Sequence, residues 1–511
     1  MSEPKLVRPG LLLHEGHALT NFSKNVPETK AARYYIVRNG AAQTDWKAGV
    51  ANLAYVVREA EKAGVPARAI ATAWSFSPCM TTTGFAVNTL ALSRVLPHFG
   101  AADLVGASDV GRVVHVQAGA RVGAVNDYLM SEGRSLRTMG GRGGQTLGGA
   151  IATGSHGSQI DERPLADQVR GLHVIGRGGE SVWIQGATRP LVTEKWAKDR
   201  GMRLHQSDDA LNAATVNVGC FGLVHSLAIE IVDGFNLAFR RKRVSLTPEL
   251  RALMRTLDFD AGYPLPDGEP GRPFHFEVVI NPYATGPSEL GVSLTVCRKA
   301  PFNVPEPAPG GTKLVPGAAI GDLLSALAGA VPALVPSTLG ALLQSQYPER
   351  EIDAPYALVF PRNVPQGFLP MASELAIAVA DAEKALDAIL HVIATKEGGF
   401  VYPGLVSFRY GRATSALIGF SAFEPTCTIE FPCLAGVEGT GDFFRRVWTA
   451  LDLAGVPFRR HWGQVNYLTK ARTASDYGAR LTRWKAARDT LLGKNDRTFV
   501  NAYTDAAGLT A

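Results

Sequence analysis

The sequence predicts an α+β protein in two parts: a first part of short strands mixed with a few helices, then an antiparallel sheet backed by helices. Three observations carry this. Up to about Phe235 the short alternating segments do not follow the strand-helix-strand order of a doubly wound sheet. Beyond Phe235, over residues 236–460, strand-like runs dominate and helical stretches lie between them. A glycine-dense apolar stretch, Gly140–Ser158, sits in the middle of the first part, and 511 residues suffice for two or three domains.

In the first part, Trp46–Ala63 has apolar residues at helical spacing (Val50, Leu53, Val56, Val57, Ala60), and Ala67–Ala71 reads as a short strand running into Thr72–Pro78. Phe85–Asn88, Leu90–Leu92 and Val113–Gly119 read as strands and Val122–Glu132 as a helix. Leu165–Ile175 and Ser181–Ile184 read as a hairpin around Arg177-Gly178-Gly179, and Ala213–Val232 passes two glycines into a long strand. In the second part Arg240–Leu246, Phe274–Asn281, Leu290–Cys297, Ala357–Phe360, Leu405–Arg412, Ala416–Phe423 and Cys427–Cys433 read as strands. Between them lie a Pro/Gly-rich loop, Pro301–Pro316, and an amphipathic helix, Ala372–Thr395. The apolar segment Leu314–Leu343 is broken by Asp322, Pro332 and Pro336, so it reads as two short helices and not a membrane span; it could also serve as an interface in a homo-oligomer.

A hydrophobic content of 46% and a charged content of 19% belong to a globular chain, and the net charge of +6 is mild for this length. The basic runs, Arg240–Arg243 and Arg459-Arg460, are short and read as solvated faces, which argues against nucleic acid as a partner. Cys79, Cys220, Cys297, Cys427 and Cys433 are an odd number without a close Cys-x-x-Cys pair, which argues for reduced thiols in a cytoplasmic protein and against a zinc or other metal site. Met1–Thr20 does not read as a secretory signal.

Eight glycines between Gly140 and Gly157 leave backbone without Cβ, so N–H groups can approach a flat or anionic ligand. The dinucleotide fingerprint fails, because Thr146 stands where its third glycine belongs and Leu147–Gly154 shows no helical stripe; a flexible linker fits poorly with Leu147, Ile151 and Ala152 interleaved. Gly148, Gly149, Ile151, Thr153, Gly154, His156, Gly157 and Ser158 stand in an order that resembles the second flavin-contacting segment of the FAD-linked oxidases of the vanillyl-alcohol oxidase and para-cresol methylhydroxylase superfamily. Within it the stretch is most similar to the aldonolactone and alditol oxidases. The resemblance implies a two-lobed FAD-binding domain of the PCMH type over residues 1–235, a substrate-covering cap domain over 236–460, and a segment 461–511 that returns to the FAD domain. It implies FAD contacts from Gly140, Thr146, Gly148, Gly149, Ala152, Thr153, Gly154, Ser155, His156 and Gly157, with His156 a hydrogen-bonding structural residue and not the base.

Two further segments add to it. Ser75-Phe76-Ser77-Pro78 is similar to the end of a family loop in which glycine, glycine and histidine often occupy the places of Ala71, Ala73 and Trp74. That histidine usually carries the covalent flavin bond, so the resemblance implies FAD held non-covalently against Ala71, Thr72, Ala73, Trp74, Ser75 and Phe76; a core tryptophan is compatible with this. Gly219, Gly222 and Val224 are similar to a third contact segment, although a turn with structural glycines has the same geometry.

Oxidation of an alcohol at a flavin asks the protein to hold the C–H over the ring, accept the hydroxyl proton and favour the reduced anion. Glu430, a carboxylate in the apolar run Cys427–Pro432, is a candidate proton acceptor, with a solvent-facing residue on an edge strand as the alternative. The aldonolactone and alditol oxidases have Glu-x-Arg in a strand placed here; this chain has Glu-Phe-Pro, and Arg409 is the candidate cation from a neighbouring strand. His461-Trp462-Gly463-Gln464 resembles the family's His-Trp-Gly-Lys, with Gln464 replacing a charge and His461 the candidate group titrating near neutral pH. The expected function is hydride transfer from a small-molecule alcohol to FAD, with oxygen or another acceptor reoxidising it. The missing Glu-x-Arg and lysine point to a bulky, less polar substrate such as a sterol. An aldonolactone or carbohydrate oxidase with altered site residues, and a non-catalytic flavin-binding protein, are the alternatives.

Overall fold

A computed structural model describes residues 3–40, 45–304, 332–360 and 369–510. Three sheets organise the chain. The first has the order β1-β2-β3-β5-β4, from β1 (Lys5–Arg8), β2 (Leu11–Leu19), β3 (Thr29–Val37), β4 (Ala67–Ile70) and β5 (Phe85–Asn88), with β3, β5 and β4 parallel. The helix Trp46–Lys62 begins where the Asp45 side chain accepts from the Ala48 N–H, and it buries Leu53, Val56, Val57 and Ala60.

The second sheet has the order β10-β9-β8-β11-β6, from β6 (Val113–Gln117), β8 (Val169–Ile175), β9 (Ser181–Gln185), β10 (Arg203–Gln206) and β11 (Leu223–Glu230). A small ribbon pairs β7 (Arg134–Ser135) with β12 (Val232–Asp233).

The third sheet is antiparallel throughout and eight-stranded, in the order β16-β13-β15-β14-β18-β19-β17-β20. Its strands are β13 (Phe235–Val244), β14 (His275–Ile280), β15 (Val292–Pro301), β16 (Arg350–Pro355), β17 (Pro370–Ala378), β18 (Val406–Gly411), β19 (Thr426–Leu434) and β20 (Arg459–Arg460). Side chains alternate across it with period two. Phe276, Val278, Leu294, Val296, Leu375, Ile377, Phe408 and Ile429 pack against the helices Pro248–Thr256, Ala382–Thr395 and Thr440–Leu453. The other face carries charge, as described below. After His461 the chain packs on the first two sheets: helix Lys470–Leu492 buries Trp484, whose indole N–H donates to the Val216 carbonyl at 3.2 Å.

Several expectations need correction. Leu147–Thr153, read as lacking a helical stripe, is a short helix stopped by Gly154 in the left-handed conformation (φ 87°); two turns are too short to show a periodicity. Ala372–Thr395 is not one helix: Pro370–Ala378 is a central strand and only Ala382–Thr395 is helical, its alanine content having hidden the alternation of Glu374 against Leu375 and Ile377. Ala357–Phe360 lies mostly in a short helix, Tyr356–Val359. Leu90–Leu92 is a turn, and Ala416–Phe423 is irregular, its carbonyls at Ala416 and Leu417 bonded to the Arg480 guanidinium instead of a strand. Glu430 is on β19, between β17 and β18, and so not on an edge. The Pro301–Pro316 loop and the first half of Leu314–Leu343 fall largely outside the described residues; Val335–Gln346 is a helix. No helix among the described residues is long and apolar enough to cross a membrane, and all five cysteines are unpaired and buried.

The second sheet encloses three histidines. His115 and His225 share the Ser226 hydroxyl at 2.9 and 3.1 Å, Gln117 meets His225 at 3.0 Å, and His173 meets Ser181 at 2.7 Å. Burial lowers His115 and His173 to about 3, and burial with its histidine neighbours takes His225 well below 6.5. Above pH 6.5 neither state binds these protons, whereas below it only the unfolded chain does, so stability falls as pH drops from 6.5 towards 3. The expected loss at about pH 5 is up to ~2 kcal/mol per histidine relative to pH 7. Urea unfolding at the two pH values measures it, and equal stabilities would refute it.

Candidate functional site

A cavity of about 610 Å³ lies between the glycine stretch and the charged face of the third sheet. Ala71, Thr72, Ala73, Trp74, Ser75 and Phe76 line it, as do Gly140, Thr146, Gly148, Gly149, Ala152, Thr153, Ser155, His156 and Gly157 from the glycine stretch and Gly219, Gly222 and Val224 from the third segment. Gly154 does not line it; its place is the helix stop. The close approach is visible at Gly148, where a Cβ would stand 2.7 Å from that of Ala118. Ser77 donates to the Trp462 carbonyl at 2.6 Å and the Phe76 N–H to that of Gly463 at 2.7 Å, which fastens the first loop to the His461–Gln464 segment.

Arg68, which the sequence reading passed over, also lines the cavity. Its guanidinium is buried and donates to the carbonyls of Phe499 and Val218, both at 2.8 Å, and of Cys79. No ion pair to it is present among the described residues, and its Nε has no partner. A buried cation compensated only by carbonyl dipoles suits an anionic ligand.

The opposite wall centres on Arg409 of β18. Its Nη2 donates to Glu430 Oε2 at 2.7 Å, its Nε to Glu277 Oε1 at 3.0 Å and its Nη1 to Glu374 Oε1 at 3.3 Å. Glu374 and Glu430 face each other across β17 and β19, a like-charge pair that needs this cation. Burial alone would pull the Arg409 pKa down, but the three carboxylates hold it well above its ordinary value. Burial would raise Glu277, yet Arg409 beside it holds the carboxyl below its ordinary value. Glu374 likewise lies low despite burial, because His156 donates to its Oε1 at 2.9 Å, and that carboxylate in turn raises His156 against its own burial. Gln464 Nε2 reaches Glu430 Oε1 at 3.4 Å.

His461 departs from expectation. Burial lowers it to about 4, with Glu374 opposing and His156 assisting, so it is neutral near pH 7. Its Nδ1 accepts from the Gly463 N–H at 2.9 Å, which leaves Nε2 as the protonated nitrogen. His156, Glu374 and His461 bring potential metal-ligand atoms within 4.8 Å of one another. The Arg409 cation on the same Glu374 oxygen disfavours a divalent ion there. The sequence reading missed Glu374 and Glu277; period-two alternation in residues 370–378 was the signal for the former.

Comparison with known proteins accords with this geometry. A family described as "FAD binding domain" matches residues 48–185, and one described as "D-arabinono-1,4-lactone oxidase" matches 294–507. The chain is similar to L-gulono-1,4-lactone dehydrogenase of Mycobacterium tuberculosis, 26% identical over 89% of this chain and 93% of the relative. It is also similar to D-arabinono-1,4-lactone oxidase of Saccharomyces cerevisiae, 29% identical over 24% and 20%. In fold it resembles cholesterol oxidase from Brevibacterium sterolicum, with a TM-score of 0.73 and 13% identity over 99% of this chain and 100% of that one. The chain is an FAD-linked oxidoreductase acting on CH–OH donors. By these matches it resembles the FAD-linked oxidases of the vanillyl-alcohol oxidase superfamily, on the side of the aldonolactone oxidases.

The cavity fits FAD: one wall is backbone free of side chains, Arg68 supplies a fixed cation with an unpartnered Nε, and Gln464 Oε1 and His275 Nε2 on the lining are buried without partners. Gly148→Val should lower the FAD content of the purified protein at least ~10-fold while the circular dichroism spectrum is retained; undiminished flavin absorbance would refute the close approach. Arg409→Met should cost about 3–5 kcal/mol in urea unfolding, because three carboxylates lose their shared cation; a change below ~1 kcal/mol would mean the network is solvated.

Proposed function

We propose that this chain oxidises a CH–OH group of a polyhydroxylated, aldonolactone-like substrate, with FAD held without a covalent bond. The observation that carries the reading is the polar wall: Arg409, three carboxylates, His156, His461 and Gln464 surround the place where a hydroxyl-rich ring would meet the flavin. The relative that matches over 89% of the chain is named for a lactone, as is the yeast relative that matches over 24%. FAD, when bound, supplies the hydride acceptor. Of the carboxylates Glu430 is the most open, its side chain 20% exposed against 11% and 4% for Glu277 and Glu374, and it is the proton acceptor in this reading. The His461 Nε2–H donates to the substrate oxygen and fixes its orientation, and Arg409 holds the Glu430 carboxylate in place. Gln464 contributes a neutral donor where a lysine would add charge.

Trp74 on the cavity lining, where the resemblance puts the attachment histidine, supports non-covalent FAD. Five unpaired cysteines support a reducing, cytoplasmic setting. A second reading, a bulky apolar alcohol, draws on the other flank of the cavity, lined by Val279, Leu342, Leu405, Pro432 and Leu434. Anaerobic flavin bleaching separates the two: aldonolactones are expected to reduce the protein, bleaching by sterols alone would favour the second reading, and no bleaching by any alcohol would favour a flavin carrier. Stopped-flow mixing of the reduced protein with oxygen tells oxygen from another acceptor. Glu430→Gln should lower kcat by at least ~100-fold with KM changed less than ~5-fold; a kcat within ~5-fold of the parent would remove Glu430 from the proton-accepting role. Acid precipitation should leave FAD in the supernatant, and flavin in the pellet would overturn the non-covalent assignment.

A further inference from the structure

The charged face of the third sheet has a second end. Cross-strand register places Arg350 of β16 opposite Arg241 of β13, Arg241 opposite Thr295 of β15, Thr295 opposite Glu277 of β14, and Glu277 opposite Arg409. Directly opposed residues share a face, so these side chains form one row across five strands. At the Arg409 end three carboxylates meet one guanidinium. At the other end the imbalance is reversed, with two arginines directly opposed in the register.

Arg241 is 12% exposed and donates its Nε to the Thr295 hydroxyl at 2.8 Å; its one carboxylate neighbour, Glu277, is 3.9 Å away and already bonded to Arg409 at 3.0 Å. The guanidinium lies over the rings of Phe239 and Tyr347, at 4.8 and 5.2 Å from their centroids, which fixes its plane. Arg350 has no ion pair among the described residues. Both arginines line the same cavity as Arg409 and Glu430. Opposed like charges are destabilising, and a folded chain keeps such a pair in a cavity wall most readily where a ligand neutralises it. Burial lowers both arginines, and each is further disfavoured or only weakly relieved by its neighbours, in keeping with this shortfall of negative charge.

We propose that Arg241 and Arg350 form an anion subsite that receives a carboxylate on the substrate, at the end of the cavity remote from the Glu430 carboxylate. This builds on the proposed oxidation at Glu430 and adds that the preferred substrate is anionic: a hydroxyl-bearing acid whose CH–OH lies at one end of the row and whose carboxylate lies at the other. Two arginines on opposed positions of one cavity wall suit a carboxylate, which accepts bidentate hydrogen bonds from guanidinium. The three carboxylates at the Arg409 end repel the same group, so the row also sets which end of the substrate enters first.

The test is isothermal titration of the FAD-loaded protein with two matched pairs, gluconate against gluconamide and octanoate against octanamide. The acid of at least one pair is expected to bind ~10-fold or more tightly than its amide. Arg350→Gln should abolish that difference with the amide's affinity unchanged, and Arg350→Lys should retain most of it. Arg350 lies on the edge strand β16, and retained FAD content and thermal midpoint verify that the variants fold. Equal affinity of acid and amide in both pairs, or a preference for the acid that survives Arg350→Gln, overturns the subsite. If charge discrimination appears only with octanoate, the subsite stands and the polyhydroxylated reading of the substrate falls; if it appears with gluconate, both stand.

Discussion

The Arg409 guanidinium is the interaction on which the site depends. It bonds carboxylates from three other strands, β14, β17 and β19, and thereby makes one electrostatic unit of the middle of the third sheet. Without it Glu374 and Glu430, directly opposed in the register, would repel across a buried face. With it Glu277 is held as an anion; Glu374, held low chiefly by His156 with Arg409 assisting, raises His156 in return, and the Glu374 carbonyl accepts from the His461 N–H at 3.0 Å. Arg409 and the His156–Glu374 pair thus share one carboxylate oxygen, which joins the sheet to a histidine of the glycine stretch.

The sheet that carries this unit separates its two jobs by side-chain parity. Even positions of β14 and β18 and odd positions of β17 and β19 send apolar groups to the helices, and the alternate positions, which include Glu277, Arg409, Glu374 and Glu430, face the cavity. The apolar face therefore acts through packing, and the cavity face through the Arg409 network, which bears on stability as well as on chemistry. The glycine stretch does its work in another way: a short helix and bare backbone bring the main chain itself to the cavity.

Much of this was legible in the sequence. The three segments singled out from glycine content and small residues line one cavity, because these are local properties that a sequence displays directly. Glu430 and Arg409 were singled out as charges in apolar strands, and the fold placed them in contact. Glu374 was hidden because Ala372–Thr395 has the composition of a helix, and the tertiary pairing of β17 with β19 overrode that propensity. The neutrality of His461 was not legible either: burial decides it, and burial is a property of the packed sheet and the Phe420 ring, 4.5 Å from it, not of the His-Trp-Gly-Gln motif. Arg68 gave no signal, since its partners are carbonyls of residues 79, 218 and 499, far apart along the chain.

Those same carbonyls have a temporal consequence. The cavity wall is fastened by Trp462, Gly463 and Phe499, and Asn501 donates to the Thr81 carbonyl at 2.8 Å, so the first loop acquires its final anchors from residues made hundreds of positions later. During synthesis the glycine stretch leaves the ribosome long before anything can close over it. The anchors of the first loop are therefore complete only once residues 462–501 have been made, so a chain arrested before residue 461 would carry both cavity walls without the bonds that fasten that loop.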